Sequence, residues 1–157
     1  MSATCSAIDN VFSKLSHIAS NSELFQQHGA TLTRSGYRPV VAAMGYNHYV
    51  ACRYSTDKPS AHAEKVALTK FRQYYQSRAA SDAKIRRKLK KTSILVARIN
   101  QSATTLADAD VCEHTPLFRN SAPCYHCTAL LKAYGVRKVV FTTDRGEPQC
   151  QKGESTR

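Results

Sequence analysis

Cys124 and Cys127 stand three residues apart behind Pro123, and His62-Ala63-Glu64 stands about sixty residues upstream. Imidazole and thiolate are the ligands zinc accepts in a tetrahedron, and a catalytic zinc keeps one position open for water. At the start of a helix the two sulfurs can face one metal, and the helix dipole favours their thiolate forms. Taken alone, the cysteine pair also fits a redox couple or half of a structural zinc knot. His62 alone fits a loop histidine, and Glu64 alone fits a carboxylate satisfying a helix start. Together they specify more. His62, Cys124 and Cys127 supply one nitrogen and two sulfurs, and Glu64 remains as a carboxylate free to move the protons of a metal-activated water.

Two other arrangements compete for these residues. Cys112 and His114 form a second pair that could close a four-ligand structural zinc with Cys124 and Cys127, which leaves His62 and Glu64 unexplained. His126 sits between the cysteines, where the spacing that turns 124 and 127 to a metal turns it elsewhere. The six cysteines fit reduced thiols with one metal pair better than a disulfide framework, given the chain length of 157 residues.

These residues need elements to position them. Ile8, Phe12, Leu15 and Ile18 recur at helical spacing over 7–18. Residues 38–44 and 47–54 read as adjacent strands, with Gly45, Tyr46 and Asn47 as the turn of an N-terminal hairpin. Ser60 is a plausible cap for a helix over 62–78, with Val66, Phe71 and Tyr74 on its buried face. A strand is expected over 92–99, a helix over 124–134 ended by Gly135, and a strand over 136–143. The order implies an α/β fold: a three-layer α/β/α sandwich on a mixed sheet of about five strands, with the last strand-helix-strand unit a parallel crossover. One domain over 1–143 is expected, with insertions near 79–91 and 100–120 and a polar, disordered tail over 144–157.

The composition bears on partners and compartment. Lys and Arg number 23 against 11 Asp and Glu, a net charge of +12, which favours a polyanion or a phosphorylated substrate. The start of the chain lacks a basic, apolar leader, and no apolar run approaches the roughly 20 residues of a membrane span. An intracellular protein, cytoplasmic or nuclear, that is not secreted and does not bind a membrane is therefore expected.

At its motifs the sequence resembles the cytidine deaminase superfamily, whose H-x-E and P-C-x-x-C signature stands here as His62-Ala63-Glu64 and Pro123-Cys124-Tyr125-His126-Cys127. The likeness runs over about 38–143, and the distance between the motifs exceeds that of compact members. It implies a Zn2+ cofactor that lowers the pKa of a water, with Glu64 passing the proton to a ring nitrogen and then to the departing amine. It also implies substrate contacts from the Ala63 amide, Asn47, Ser121, Tyr125 and His126, although Asn47 equally fits a hairpin turn.

The resemblance favours cytosine over adenine or guanine, from Gly45-Tyr46-Asn47 and Ser121-Ala-Pro-Cys. Single-stranded nucleic acid is the expected carrier, with a phosphorylated nucleotide or a nucleoside as the alternative. Lys84, Arg86, Arg87, Lys88, Lys90 and Lys91 form a basic run that could track phosphates, with Tyr74 and Tyr75 available to stack on bases. A third reading is a non-catalytic, basic zinc module that binds nucleic acid. It predicts no role for Glu64.

Overall fold

In the computed structural model, residues 3–34, 40–50, 59–99, 118–145 and 147–152 are described, with the backbone alone for 3–10 and 152. Among the described residues the elements run α1 (Ala3–Ala19), β1 (His28–Arg34), β2 (Val40–Tyr46), β3 (His48–Tyr49), β4 (Ser60–Ala61), α2 (Ala63–Gln76), α3 (Asp82–Leu89), β5 (Thr92–Ile99), β6 (Phe118–Arg119), α4 (Tyr125–Tyr134), β7 (Lys138–Thr142) and β8 (Pro148–Lys152). The main sheet has the order β2-β1-β5-β7-β8, with β6 also paired to β5, and β3 and β4 form a small ladder of their own.

Strand β5 reads as a continuous apolar run because both its faces are covered. Ile94 and Val96 point to one face, where they join Ala67, Leu68 and Phe71 of α2, Ile85 and Leu89 of α3, and Leu131 of α4. Leu95 and Ala97 point to the other and meet Val11, Phe12 and Leu15 of α1. The period of two along the strand thus separates a three-helix layer from a one-helix layer. The α/β/α sandwich on a mixed sheet is as expected. So is the crossover: β5 and β7 pair in parallel, Ser93 with Lys138 through Val96 with Phe141.

The N-terminal hairpin differs from the expected one. Strand β2 pairs antiparallel with β1 upstream, Gly29 opposite Tyr46 through Arg34 opposite Val40, rather than with residues that follow it. The threonines hid β1. Thr31 and Thr33 are buried, their hydroxyls donating to the Ala43 and Ser93 carbonyls at 3.1 and 3.4 Å. Gly45 lies inside β2 and not in a turn, and Asn47 alone separates β2 from β3. Residues 51–54 of the expected second strand lie outside the described residues.

Further expectations are refined or corrected. Ser60 belongs to β4, and the residue capping α2 is His62. The segment near 79–91, expected as an insertion, contributes to the core, because α3 places Ile85 and Leu89, both essentially inaccessible, there. Of the residues expected on the buried face of α2, Phe71 is buried as expected, whereas Tyr74 is 47% exposed. The tail is ordered in part: Thr143 N–H donates to Glu147 O at 2.9 Å, closing a hairpin in which β8 pairs with β7 along its whole length. Its polar residues suit an edge strand, where one side faces solvent. The expected 100–120 insertion falls outside the described residues except at β6 and Asn120.

Candidate active site

Helix α2 can approach the sheet closely because Gly45 has no side chain. A Cβ there would stand 2.6 Å from the Ala67 nitrogen and 2.9 Å from the Ala63 oxygen. That contact fixes where the helix begins. His62 is its N-cap, in extended conformation, and its side chain makes no capping bond. The imidazole is thereby left available to other partners. Glu64, in the first turn, is 6% exposed.

Helix α4 begins in the same way. Cys124 is the N-cap, and its Sγ accepts from the Cys127 N–H at 3.5 Å, while Gly135 ends the helix in the left-handed region at φ 74°. The parallel crossover from β5 to β7 carries this N-terminus to the carboxyl end of β5, where crevices form in open α/β sheets. There the two helix starts meet. His62 Nδ1 lies 3.5 Å from Cys124 Sγ and 3.4 Å from Cys127 Sγ.

These distances test the donor set against a metal. Zn–N bonds of about 2.0–2.1 Å and Zn–S bonds of about 2.3 Å give a tetrahedron whose N–S edges are about 3.5 Å. The observed pair matches, and all three ligand atoms lie within 4.8 Å of one another. Among the described residues this is the group that could hold an ion. Cys112 and His114 lie outside them, and so does the four-ligand alternative.

Electrostatics at the centre favour a cation. Burial pushes the Cys127 thiol well above the usual thiol range, and the neighbouring Glu64 carboxylate adds to it. Burial also raises the Glu64 pKa, opposed by its own backbone N–H, by His62 and by the Cys127 thiol. The Cys127 thiol and the Glu64 carboxyl, both buried, thus meet as two groups that gain negative charge on ionising, and a bound cation reverses that penalty.

The centre opens into a cleft of about 810 Å³, lined by His28, Asn47, His62, Ala63, Glu64, Arg98, Ser121 and Cys124, with Phe25, Tyr49 and Asp144 also on its walls. Of the residues expected to touch substrate, the cleft gathers Asn47, Ala63 and Ser121. Tyr125 and His126 are exposed outside its lining, with their rings 5.8 Å apart.

Asn47 and Ser121 are already engaged with the protein. The Asn47 Oδ1 accepts from the His28 N–H at 2.8 Å, and its Nδ2 donates to Gln26 O at 2.6 Å. Its amide therefore ties the start of β1 to the end of β2, and one lone pair and one N–H remain. Ser121 is 2% exposed. Its Oγ donates to Val96 O at 2.8 Å and accepts from the Thr142 N–H at 2.9 Å.

Sequence reasoning passed over His28, Arg98 and Phe25. His28 and Arg98 pair across β1 and β5, so both enter the cleft at the same sheet end. Burial lowers the His28 pKa, and the Arg98 charge lowers it further. Only the β1–β5 register reveals the pair. Phe25, 83% exposed on the rim, did carry a signal, since a large aromatic in a polar loop is uncommon.

The basic run lies elsewhere. Lys84, Arg87, Lys88 and Lys91 line a second cavity of about 380 Å³ together with Arg34, Phe71, Tyr75 and Thr92. Arg86 turns away from it, donating to Ala133 O at 2.9 Å and lying 5.1 Å from the Tyr134 ring. Lys90 packs beside Gly135.

No protein-family model and no curated protein sequence matches the chain. Its structure is similar to that of cytidine deaminase from Burkholderia pseudomallei, with a TM-score of 0.56 and 16% identity over 98% of this chain and 94% of that one. The dCMP deaminase of cyanophage S-TIM5, solved in complex with dCMP and dUMP, gives 0.49 and 18% over 91% and 84%. Cytidine deaminase from Mycobacterium leprae gives 0.46 and 14% over 90% and 91%. The likeness to the Burkholderia structure establishes the fold: the chain has the cytidine deaminase architecture.

Proposed function

We propose that this protein is a zinc-dependent hydrolytic deaminase that converts cytosine to uracil. The observation that carries the reading is the approach of His62 Nδ1 to both cysteine sulfurs, with a buried glutamate two residues along the same helix start. A structural zinc site has no use for Glu64 in that place. A proton carrier beside an activated water does. The fold shared with a cytidine deaminase supports the same reading.

His62, Cys124 and Cys127 would hold the zinc, which would supply a water activated near neutral pH. Glu64 would take a proton from the attacking water and deliver it to the ring nitrogen as the oxygen bonds to the amine-bearing carbon. Glu64 would then take the remaining proton of the new C–OH group and pass it to the amine, so that the carbon–nitrogen bond breaks, ammonia leaves and a carbonyl remains. We assign the base carbonyl to the Ala63 N–H, at the helix start between His62 and Glu64 on the cleft wall.

Single-stranded nucleic acid is the carrier we favour, on the +12 charge of the chain and the open mouth of the cleft. A polymeric cytosine must be unpaired or flipped to enter. A free nucleotide is the second reading, favoured by Arg98 on the cleft wall, a single cation suited to one phosphate. Tyr125 and His126, exposed beside the metal pair, are proposed to contact the strand flanking the target base, while Asn47 and Ser121 shape the cleft.

The test is to incubate zinc-loaded protein with separate pools of single-stranded DNA, RNA, duplex DNA, and free cytosine, adenine and guanine nucleotides and nucleosides. Mass spectrometry reads conversion of amine to carbonyl, with Glu64→Ala alongside. Conversion in a cytosine pool that disappears in the variant is the expected result. No conversion in any pool at full zinc occupancy would exclude the deaminase reading.

A further inference from the structure

We infer that the cavity lined by Arg34, Lys84, Arg87, Lys88 and Lys91 is a docking site for the phosphate backbone of single-stranded nucleic acid, separate from the metal cleft. Strand β1 shows the separation. His28 at its start lines the cleft and Arg34 at its end lines the basic cavity. Six residue steps lie between them, roughly 20 Å of extended chain.

Five cations from β1, α3 and the turn into β5 converge on one concavity of about 380 Å³. Among the described residues none of the five makes an ion pair. The nearby acid, Asp82, is taken by Arg72 at 3.9 Å. Like charges gathered without acids repel one another, and an anion that bridges them removes that cost. The core does not require the arrangement, because Ile85 and Leu89 alone anchor α3 in it.

The number and spread of the cations select the ligand. One phosphate needs two or three donors, whereas five cations on three segments suit successive phosphates of a chain. The site is concave and its aromatics form the floor: Tyr75 packs 4.8 Å from Phe71, and the Lys88 ammonium lies 4.8 Å from the Tyr75 ring. A duplex is read by elements that protrude into its grooves. A concave, positively charged surface takes a flexible single strand. Docking here holds the polymer at one end of the sheet while another part of it reaches the opposite end. That second step rests on the deaminase reading, whereas the docking itself does not.

The experiment measures binding without chemistry. A labelled 20-nucleotide single strand lacking cytosine is titrated by fluorescence anisotropy into the zinc-loaded full chain over a series of salt concentrations. Arg87→Glu/Lys91→Glu, at two exposed positions, should weaken binding at least tenfold. The neutral pair Arg87→Gln/Lys91→Gln should lower the salt slope by roughly 1.4, about 0.7 for each lost phosphate contact on a single strand. Unaltered affinity and slope in both double variants overturn the proposal. So does displacement of the strand by inorganic phosphate or cytidine monophosphate at the phosphate concentration at which unlabelled strand displaces it, which identifies a site for small anions. Docking that is lost in the variants while no cytosine substrate is ever converted upholds this site and removes the deaminase reading instead.

Discussion

The Nδ1 of His62 stands 3.4 Å from the Sγ of Cys127, although 65 residues separate the two along the chain. Each sits in the first turn or at the cap of its helix, and farther along the two helices share the core through Phe71 and Leu131. The metal centre is a junction between helix starts, so the groups that hold the ion and the group that moves protons can be separated by substitution.

Cys127→Ser and His62→Ala should each abolish stoichiometric zinc, read by elemental mass spectrometry, and with it all turnover. Glu64→Ala should retain zinc at one equivalent and lose kcat by about 10²–10⁴, the usual worth of a positioned proton carrier. Zinc lost from Glu64→Ala as well would make Glu64 a ligand. Chelation of the unaltered protein should lower its Tm, since an ion at 100 times its Kd stabilises the folded state by about 2.7 kcal/mol.

Gly45 is the residue that lets α2 reach the centre. Gly45→Ala forces a Cβ against backbone atoms of Ala67 and Ala63, which cannot rotate away. A cost of about 1–3 kcal/mol is expected from denaturant unfolding, as for other overpacked positions. Because the strain falls on the turn that carries Ala63, zinc affinity should fall too. A variant that is destabilised but binds zinc with unchanged affinity would show that α2 shifts as a whole without disturbing His62.

The metal set was legible because it is local chemistry: two short motifs, each at a helix start, whose spacing states their purpose. The sandwich was legible from the apolar runs of β5 and β7. What could not be read was long-range register. Strand β1 carries Thr31 and Thr33 where an apolar pattern was sought, and its hydroxyls are satisfied only by β2 and β5, which the local sequence does not reveal. With β1 missed, Gly45 read as a turn, and the pairing of His28 with Arg98 across the cleft was invisible. The position of the basic run at the far sheet end follows from the Arg34–Thr92 pairing alone.

His28 gives the fold a pH dependence of definite sign. Burial and Arg98 hold its pKa below the ordinary 6.5, so the folded protein refuses a proton that the unfolded chain accepts. Above 6.5 both states are neutral at this position and it contributes nothing to the slope. As pH falls below 6.5 the unfolded state gains the proton first, and stability declines until the lower folded pKa is reached. His28→Gln should remove this component. The difference in unfolding free energy between the two proteins should change by up to about 1.4 kcal/mol per pH unit in that window and be flat above it. Equal slopes for both would mean that His28 titrates as it does in water.

Ser121 separates a contact to substrate from a support beneath it. The resemblance places it beside the substrate, while the structure engages its hydroxyl with two residues of the protein, Val96 through its carbonyl and Thr142 through its N–H and its Oγ1. Both lie at the end of the sheet that bears the cleft, and Ser121 comes three residues before Cys124. Ser121→Ala leaves a buried N–H and a buried carbonyl short of a partner, which should cost about 1–3 kcal/mol in denaturant unfolding. If the hydroxyl acts only as a support, KM for the cytosine substrate should hold within about twofold while stability falls. If it also touches substrate, KM should rise by tenfold or more, the worth of a hydrogen bond of about 1.4 kcal/mol. Because the hydroxyl already has both its partners and almost no exposed surface, the first result is expected. Ser121→Thr provides the control: it keeps the hydroxyl but adds a methyl group to a closed site, so a loss of stability without a change in KM would again assign the residue to the frame.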